Sequence, residues 1–270
     1  MASDNQRGIQ SIEVGGQLLR ALVHHGRPMA LKDLAREADM SAAKAHPYMV
    51  SFGRLGLIEQ DRSNGHYQLG PLALQLGLIS LQQANPVHVA TPLIGELAQE
   101  TGQTVAIAVW GARGATIVRI AESPSPVHVN MRHGTVFSLT STASGRIFGA
   151  YLDPALVKAQ IEEDRRREKS GGPREPGMPP APAIPAWKEF EAQLAQVQRH
   201  GLSRSEGEII PGVNAMSAPV FDHTGAIVLA LTAIGPAGIL DSRWDGPLAH
   251  ALRRCADEVS QRLGAIRPAS

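Results

Sequence analysis

Four hydroxyl side chains fall within five residues of the stretch "LTSTASGRIFG": Thr140, Ser141, Thr142 and Ser144. Gly145 follows, and the pattern beyond it predicts a helix over 142–152. A helix start presents unpaired N–H groups and the positive end of its dipole, so this turn suits an anion, a carboxylate above all. The strand-like segments "GVNAMSAPV" and "LALTAIGP" alternate polar and apolar residues and offer Asn214, Met216 and Thr232 as further walls. Met131 and Phe137 would add apolar surface. A competing reading makes Thr142 an N-cap, Ser217 and Thr232 ordinary sheet residues, and Met131 core. Ser144 next to Gly145 suggests a nucleophile, but no strand-turn-helix elbow surrounds it.

The remaining inventory argues against catalysis. The chain has no G-x-S-x-G, P-loop, G-x-G-x-x-G or H-E-x-x-H pattern. Its ten histidines are scattered, without C-x-x-C or His/carboxylate spacing for zinc, so no metal and no cofactor are expected. His24 and His25, at a helix C-terminus, would complement its dipole. Cys255 lies on an apolar stripe and reads as inert core. It is the only cysteine, which excludes an intrachain disulfide and favours a reducing cytoplasm.

The elements that must carry these residues follow from periodicity. Over 9–25, Ile12, Leu18, Leu19, Leu22 and Val23 recur at helical spacing until Gly26 and Pro28. "LKDLAREA" places Leu31, Leu34, Ala35 and Ala38 on one stripe of a short helix. Ser41 is the expected N-cap of a third helix running to about Arg54, with Ala45, Tyr48, Met49 and Phe52 facing inward. "LGLIEQD" turns extended, and Asn64-Gly65 predicts a tight hairpin turn. Three helices followed by a hairpin form a winged helix-turn-helix arrangement over 1–70.

"GPLALQLGLISLQQAN" predicts one amphipathic linker helix over 71–85, starting at Pro71, where proline is tolerated. In 86–270 a further helix leads into a hairpin, "TVAIAVWG" and "ATIVRIAE" around "GARG". "VHVNM" predicts another strand. Residues 164–186 are charged, then rich in Pro and Gly, and are expected to form an extended loop. A helix over 186–200 precedes three strands and a last helix, which Leu248, Leu252, Cys255, Val259 and Leu263 stripe at spacings of 3 and 4. The fold class is α+β, with an antiparallel sheet flanked by helices.

Composition bounds the function. Of 270 residues, 43% are hydrophobic and 19% charged, and the net charge of +1 announces no nucleic-acid partner. The opening "MASDNQRGIQ" has no apolar run of signal-peptide type. "VLALTAIGPAGIL" is broken by Gly and Pro and too short to cross a membrane. A soluble intracellular protein is expected.

With these elements in place the chain resembles the IclR family of bacterial transcriptional regulators. The matching stretches are "SIEVGGQLLRAL", "LKDLAREADMSAAKAH", "GLIEQDRSNGHYQLGPLALQLG", "LTSTASGRIFGAYL", "GVNAMSAPVFDHTG" and "LALTAIGP", in the family's order across roughly 9–265. The resemblance implies a homodimer, or a dimer of dimers, whose winged helices bind a double-stranded DNA operator. It also implies a C-terminal domain similar to the GAF fold that binds a small-molecule effector, often an organic acid. The family's "TA-x-G" turn lines that pocket, which carries over to Thr142, Ala143, Ser144 and Gly145. Two departures stand out. Pro47 replaces the usual basic residue of "A-H-R-L-L", and the 164–186 loop looks longer than usual.

If the third helix reads DNA, Ala42, Ala43, His46, Pro47 and Val50 face the groove, and Lys44 flanks the first turn. Arg62 and His66, at the wing tip, suit backbone or minor-groove contact. Residues 1–70 hold eight Lys and Arg against seven Asp and Glu, a weak charge for a DNA binder. Pro47 lies beyond the free first turn, so its ladder bond to Ala43 is lost, at about 3 kcal/mol. A kink or loosened 3₁₀ first turn, a helix restarting near Ala45 or His46, and a degenerate reader are the three possibilities. The expected function is a ligand-responsive regulator, more readily a repressor than an activator. A protein-interaction adaptor with weakened DNA binding is the alternative.

Overall fold

The computed structural model describes residues 8–126, 129, 131–169 and 182–265. The chain forms two compact units, the first ending at Ala84 and the second starting at Asn85.

The first unit opens with α1 (Gln10–His25), α2 (Leu31–Glu37) and α3 (Ala42–Leu55). Gly26, at φ 66°, ends α1 in the left-handed region that glycine tolerates, and its N–H bonds the Leu22 carbonyl at 3.0 Å. Leu18, Leu22, Leu34, Ala45, Met49, Ile58 and Tyr67 form the buried core, with Tyr48 and Phe52 packed against it. The expected inward face of α3 is therefore the observed one. Ile12 and Val23 are exposed despite their spacing, because the α1 contact face is narrower than its apolar pattern.

Strands β1 (Ile58–Gln60) and β2 (Tyr67–Leu69) pair antiparallel. The expected two-residue turn at Asn64-Gly65 is not what joins them. Residues 61–66 form a longer loop, organised by the Asp61 carboxylate, which accepts from the Ser63 N–H at 2.7 Å and from Asn64 Nδ2 at 2.9 Å. An Asp that bonds the backbone two residues on replaces the tight turn. Gly65 still takes the left-handed conformation, at φ 73°.

Helix α4 (Pro71–Gln83) begins at Pro71 as expected. It is not amphipathic: its leucines lie all round the cylinder, and none of its residues is buried.

In the second unit α5 (Pro86–Thr101) leads to a six-stranded antiparallel sheet in the order β5-β4-β3-β8-β7-β6. Its strands are β3 (Thr104–Gly111), β4 (Gly114–Ala121), β5 (Val136–Phe137), β6 (Ser203–Glu206), β7 (Val213–Phe221) and β8 (Ile227–Pro236). Helices α5 and α9 (Pro247–Arg262) cover one face. Helix α6 (Ala143–Tyr151) covers the other, with α8 (Trp187–His200) packed on it. Residues on β8 alternate accordingly: Leu229, Leu231 and Ala233 join the α5/α9 core, while Ala230 joins the α6/α8 core. Leu248, Leu252, Cys255, Val259 and Leu263 are buried, as their spacing predicts.

Two expectations in this unit are corrected. Of "VHVNM", residues 127, 128 and 130 lie outside the described residues, while 129 and 131 are not in a strand. The edge strand is instead Val136–Phe137, held by β4. Residues 164–169 belong to a helix, α7 (Pro154–Lys169), rather than to a loop. Asp153 accepts from the Ala155 N–H at 2.7 Å at its start, and Val157 and Ile161 anchor its buried side. Of the rest of the expected loop, 182–186 is irregular as expected and 170–181 lies outside the described residues.

Candidate DNA interface and effector site

Helix α3 is capped by Ser41, whose hydroxyl accepts from the Lys44 N–H at 3.3 Å. Its ladder starts at once, with the Ala45 N–H on the Ser41 carbonyl at 2.9 Å. Burying Ala45 and Met49 turns Ala42, Ala43, Lys44, His46, Pro47 and Val50 to the exposed side. The structure thus brings the predicted reading residues onto one accessible surface.

Pro47 sits inside a continuous α-helix from Ala42 to Leu55. The helix does not restart at Ala45 or His46, and no 3₁₀ turn precedes Pro47. The missing N–H leaves the Ala43 carbonyl without its ladder donor, on a residue exposed to water. Ser51 donates its hydroxyl to the Pro47 carbonyl at 3.0 Å one turn later.

The wing loop presents Arg62 exposed and His66 half-buried. The His66 N–H is fixed to Asn64 Oδ1 at 2.8 Å, and its carbonyl accepts from the Asp61 N–H at 2.8 Å. Hydrogen bonds from Ser63 and Asn64 hold the Asp61 carboxyl below its ordinary value.

In the second unit Thr142 is the N-cap of α6. Its hydroxyl accepts from the Gly145 N–H at 2.9 Å and donates to the Ser138 carbonyl at 2.7 Å. Gly145 is required there, since a Cβ would lie 2.1 Å from the Ser138 carbonyl oxygen. Ser144 is buried and hydrogen-bonded to Thr232 at 2.8 Å, and Ser217 reaches the same Thr232 hydroxyl at 2.8 Å. The turn, Thr232 and Ser217 are therefore one cluster between α6 and the sheet.

Two of the other expected walls separate from it. Met216 packs among the α5/α9 core, and Asn214, two residues away on β7, shares its strand parity. Both point away from the side on which Ser217 meets α6. Phe137 packs against the α6/α8 core, and Met131 is half-buried in the segment before β5. Two surface hollows lie elsewhere. One of about 530 Å³ is lined by Lys32, Arg36, Asp39 and Ser41, and one of about 240 Å³ by Gln103, Ile239 and Leu248.

One charged group at the turn escapes sequence reasoning. Arg146, one residue after Gly145, folds back to donate Nε to the Thr140 carbonyl at 2.9 Å and Nη1 to the Arg204 carbonyl at 2.8 Å. Both terminal nitrogens also meet the Glu208 carboxylate. Its arginine is adjacent to the motif, but a partner 62 residues away leaves no local signal.

Among the described residues no group of His, Cys, Asp and Glu could hold a metal ion, and no helix is long and apolar enough to cross a membrane. Burial, with help from Glu258, Glu100 and Glu96, pushes the Cys255 thiol up to about 12, so it is no nucleophile.

Comparison with known proteins fits this geometry. The model of the IclR helix-turn-helix domain matches residues 11–62, and that of the bacterial transcriptional regulator IclR C-terminal domain matches residues 79–261. The glycerol operon regulatory protein of Streptomyces coelicolor is 29% identical over 263 residues, covering 97% of this chain and 99% of that one. The transcriptional repressor IclR of Escherichia coli is 22% identical over 261 residues, covering 96% and 92%. The crystal structure of Pseudomonas aeruginosa HmgR superposes with a TM-score of 0.81 at 32% identity, covering 95% of this chain and 99% of that one. The chain belongs to the IclR family of transcriptional regulators, DNA-binding proteins rather than enzymes.

Proposed function

We propose that this protein is a cytoplasmic repressor that binds a double-stranded operator as a homodimer, alone or paired into a dimer of dimers. In this reading Ala42, Ala43, Lys44, His46 and Pro47 enter the major groove, with apolar contact to thymine methyls from the alanines. Arg62 and His66 hold the flanking backbone. The observation that carries the reading is the exposure of this whole row on a capped helix beside an ordered wing. Exposed Leu74, Leu76, Leu78 and Leu81 on α4 support pairing with a second copy, which would double the modest charge of one winged helix.

The second unit acts as the sensor, its antiparallel sheet backed by helices serving as a GAF-like chamber. A small organic acid places its carboxylate at the Thr142–Gly145 turn, with Thr232 behind it and Phe137 and Met131 as apolar surface. The named relatives regulate gene expression, and a regulator needs an input; the hydroxyl-rich helix start is the feature most suited to an anion. Ligand binding shifts the operator affinity to the extent that it favours one arrangement of the dimer over another.

Footprinting of the intergenic DNA beside the protein's own coding sequence, with aromatic and short-chain acids added, tests this. A protected two-half-site segment, weakened by salt and by one of the acids, is expected. Absence of salt-dependent protection would leave the adaptor reading in its place.

A further inference from the structure

We propose that Glu208 is an internal stand-in for a ligand carboxylate, and that Arg146 is the cation for which the two compete. This rests on reading the α6 turn as an organic-acid site.

The Arg146 side chain is only 12% exposed, and a cation so buried requires an anionic partner. Two of its acceptors, the Thr140 and Arg204 carbonyls, fix the guanidinium over the start of α6 but carry no charge. Among the described residues its one anionic partner is Glu208, which engages it through both carboxylate oxygens. That two-pronged geometry is the one a guanidinium offers to any carboxylate.

Glu208 is the more exchangeable half of the pair. It stands 38% exposed on the 207–212 loop between β6 and β7. The loop is bounded by Gly207 at φ 68° and Gly212 at φ 80°, two left-handed positions that let the backbone turn sharply at either end. Moving this carboxylate into water leaves it solvated, and an incoming carboxylate restores the charge balance at Arg146.

The turn under the guanidinium also holds an unmet hydrogen-bonding group. Ser141 is 4% exposed, and its buried hydroxyl has no partner among the described residues. Its carbonyl accepts from Ser205, so the residue is held from the β6 side while the hydroxyl remains unused. A buried hydroxyl of this kind, one residue from the carbonyl that holds the arginine, is what a second ligand oxygen would satisfy.

A clamp and a competitor differ in sign. If the pair merely fastens the loop, neutralising Glu208 loosens the site and carboxylate binding weakens or stays level. If Glu208 competes, neutralising it removes the fraction of molecules with Arg146 already occupied, and binding tightens.

The experiment titrates pyruvate, benzoate and phenylacetate into the full-length protein by calorimetry. The forms compared are wild type, Glu208→Gln and Glu206→Gln, with benzamide as the uncharged probe. Glu206 lies two residues away beside Arg204 and controls for the lost charge. The expected result is about tenfold tighter carboxylate binding by Glu208→Gln alone, with benzamide indifferent. Faster hydrogen exchange of residues 207–213 in wild type on adding the bound acid is expected with it. If wild type binds a carboxylate and Glu208→Gln binds it equally or more weakly, the competition is overturned while the organic-acid site stands. If neither form binds any of the three acids while both protect the operator, the organic-acid reading itself falls.

Discussion

Ser144 Oγ and Thr232 Oγ1 lie 2.8 Å apart although 88 residues separate them, and Ser217 joins the same threonine from β7. All three are at least 97% buried, so each depends on the others for its hydrogen bonds. Thr232→Val keeps the shape and strands two hydroxyls. It is expected to destabilise the second unit by about 2–3 kcal/mol, read as a shift in the denaturant midpoint. Adding Ser144→Ala and Ser217→Ala should recover most of that loss, because no polar group is then left unpaired. An unrecovered triple variant would show that packing, not pairing, governs the cluster.

Pro47→Ala restores the ladder bond to the Ala43 carbonyl. The gain is offset in part by the larger conformational freedom of the unfolded chain, leaving about 1–2 kcal/mol of stabilisation. Circular dichroism should show greater helicity. Removing the ring from the exposed row alters the surface offered to DNA, so operator affinity or preference shifts as well. Identical anisotropy curves across a panel of sites at fixed salt would exclude Pro47 from the interface.

These two positions show what the sequence makes legible. The inward face of α3 and the stripe of α9 follow from spacing alone, because Ala45 and Met49, or Leu252 and Val259, are buried by helix geometry whatever they pack on. That Asn214 and Met216 face away from Thr232 is not legible in the sequence, since which strand parity meets α6 depends on the register Ser217↔Thr232. The pairing of Arg146 with Glu208 is a long-range contact without periodicity. Helix α7 does have a local signal: Asp153-Pro154 is a cap and first turn, and Glu162–Arg165 and Glu163–Arg167 pair along it. Its charge-rich composition concealed the short buried side of Val157 and Ile161.

The Asp61 carboxylate orders the wing by accepting from Ser63 and Asn64, which lowers its pKa from 3.8. A folded-state pKa below the unfolded one means that its contribution is complete above the unfolded value. That contribution is lost as pH falls through the depressed folded value. Wing order should therefore be independent of pH across the neutral range and fail only in acid, below about pH 4. Asp61→Ala should show at pH 7 the faster amide exchange at Ser63, Gly65 and His66 that wild type reaches only in acid. Its operator affinity should fall with the loss of a fixed Arg62. Unchanged exchange at neutral pH would assign the ordering of the loop to Gly65 and the strand ends instead.

Leu74, Leu78 and Leu81 recur at i, i+4 and i+7 on α4, and they are 65%, 51% and 43% exposed. A helix with this much open leucine and no buried residue is stable in water only when something covers it. If the cover is a second copy, a charge on the stripe must separate the copies without unfolding either unit, since the replaced side chains pack against neither core. Leu74→Glu with Leu78→Glu is therefore expected to sediment as a monomer with an unchanged thermal transition of the second unit. Its operator affinity should collapse, because two half-sites are no longer held by one molecule and the gain from linking them is lost. A double variant that remains dimeric would move the interface off α4, and one that is monomeric yet binds the operator normally would detach DNA recognition from pairing.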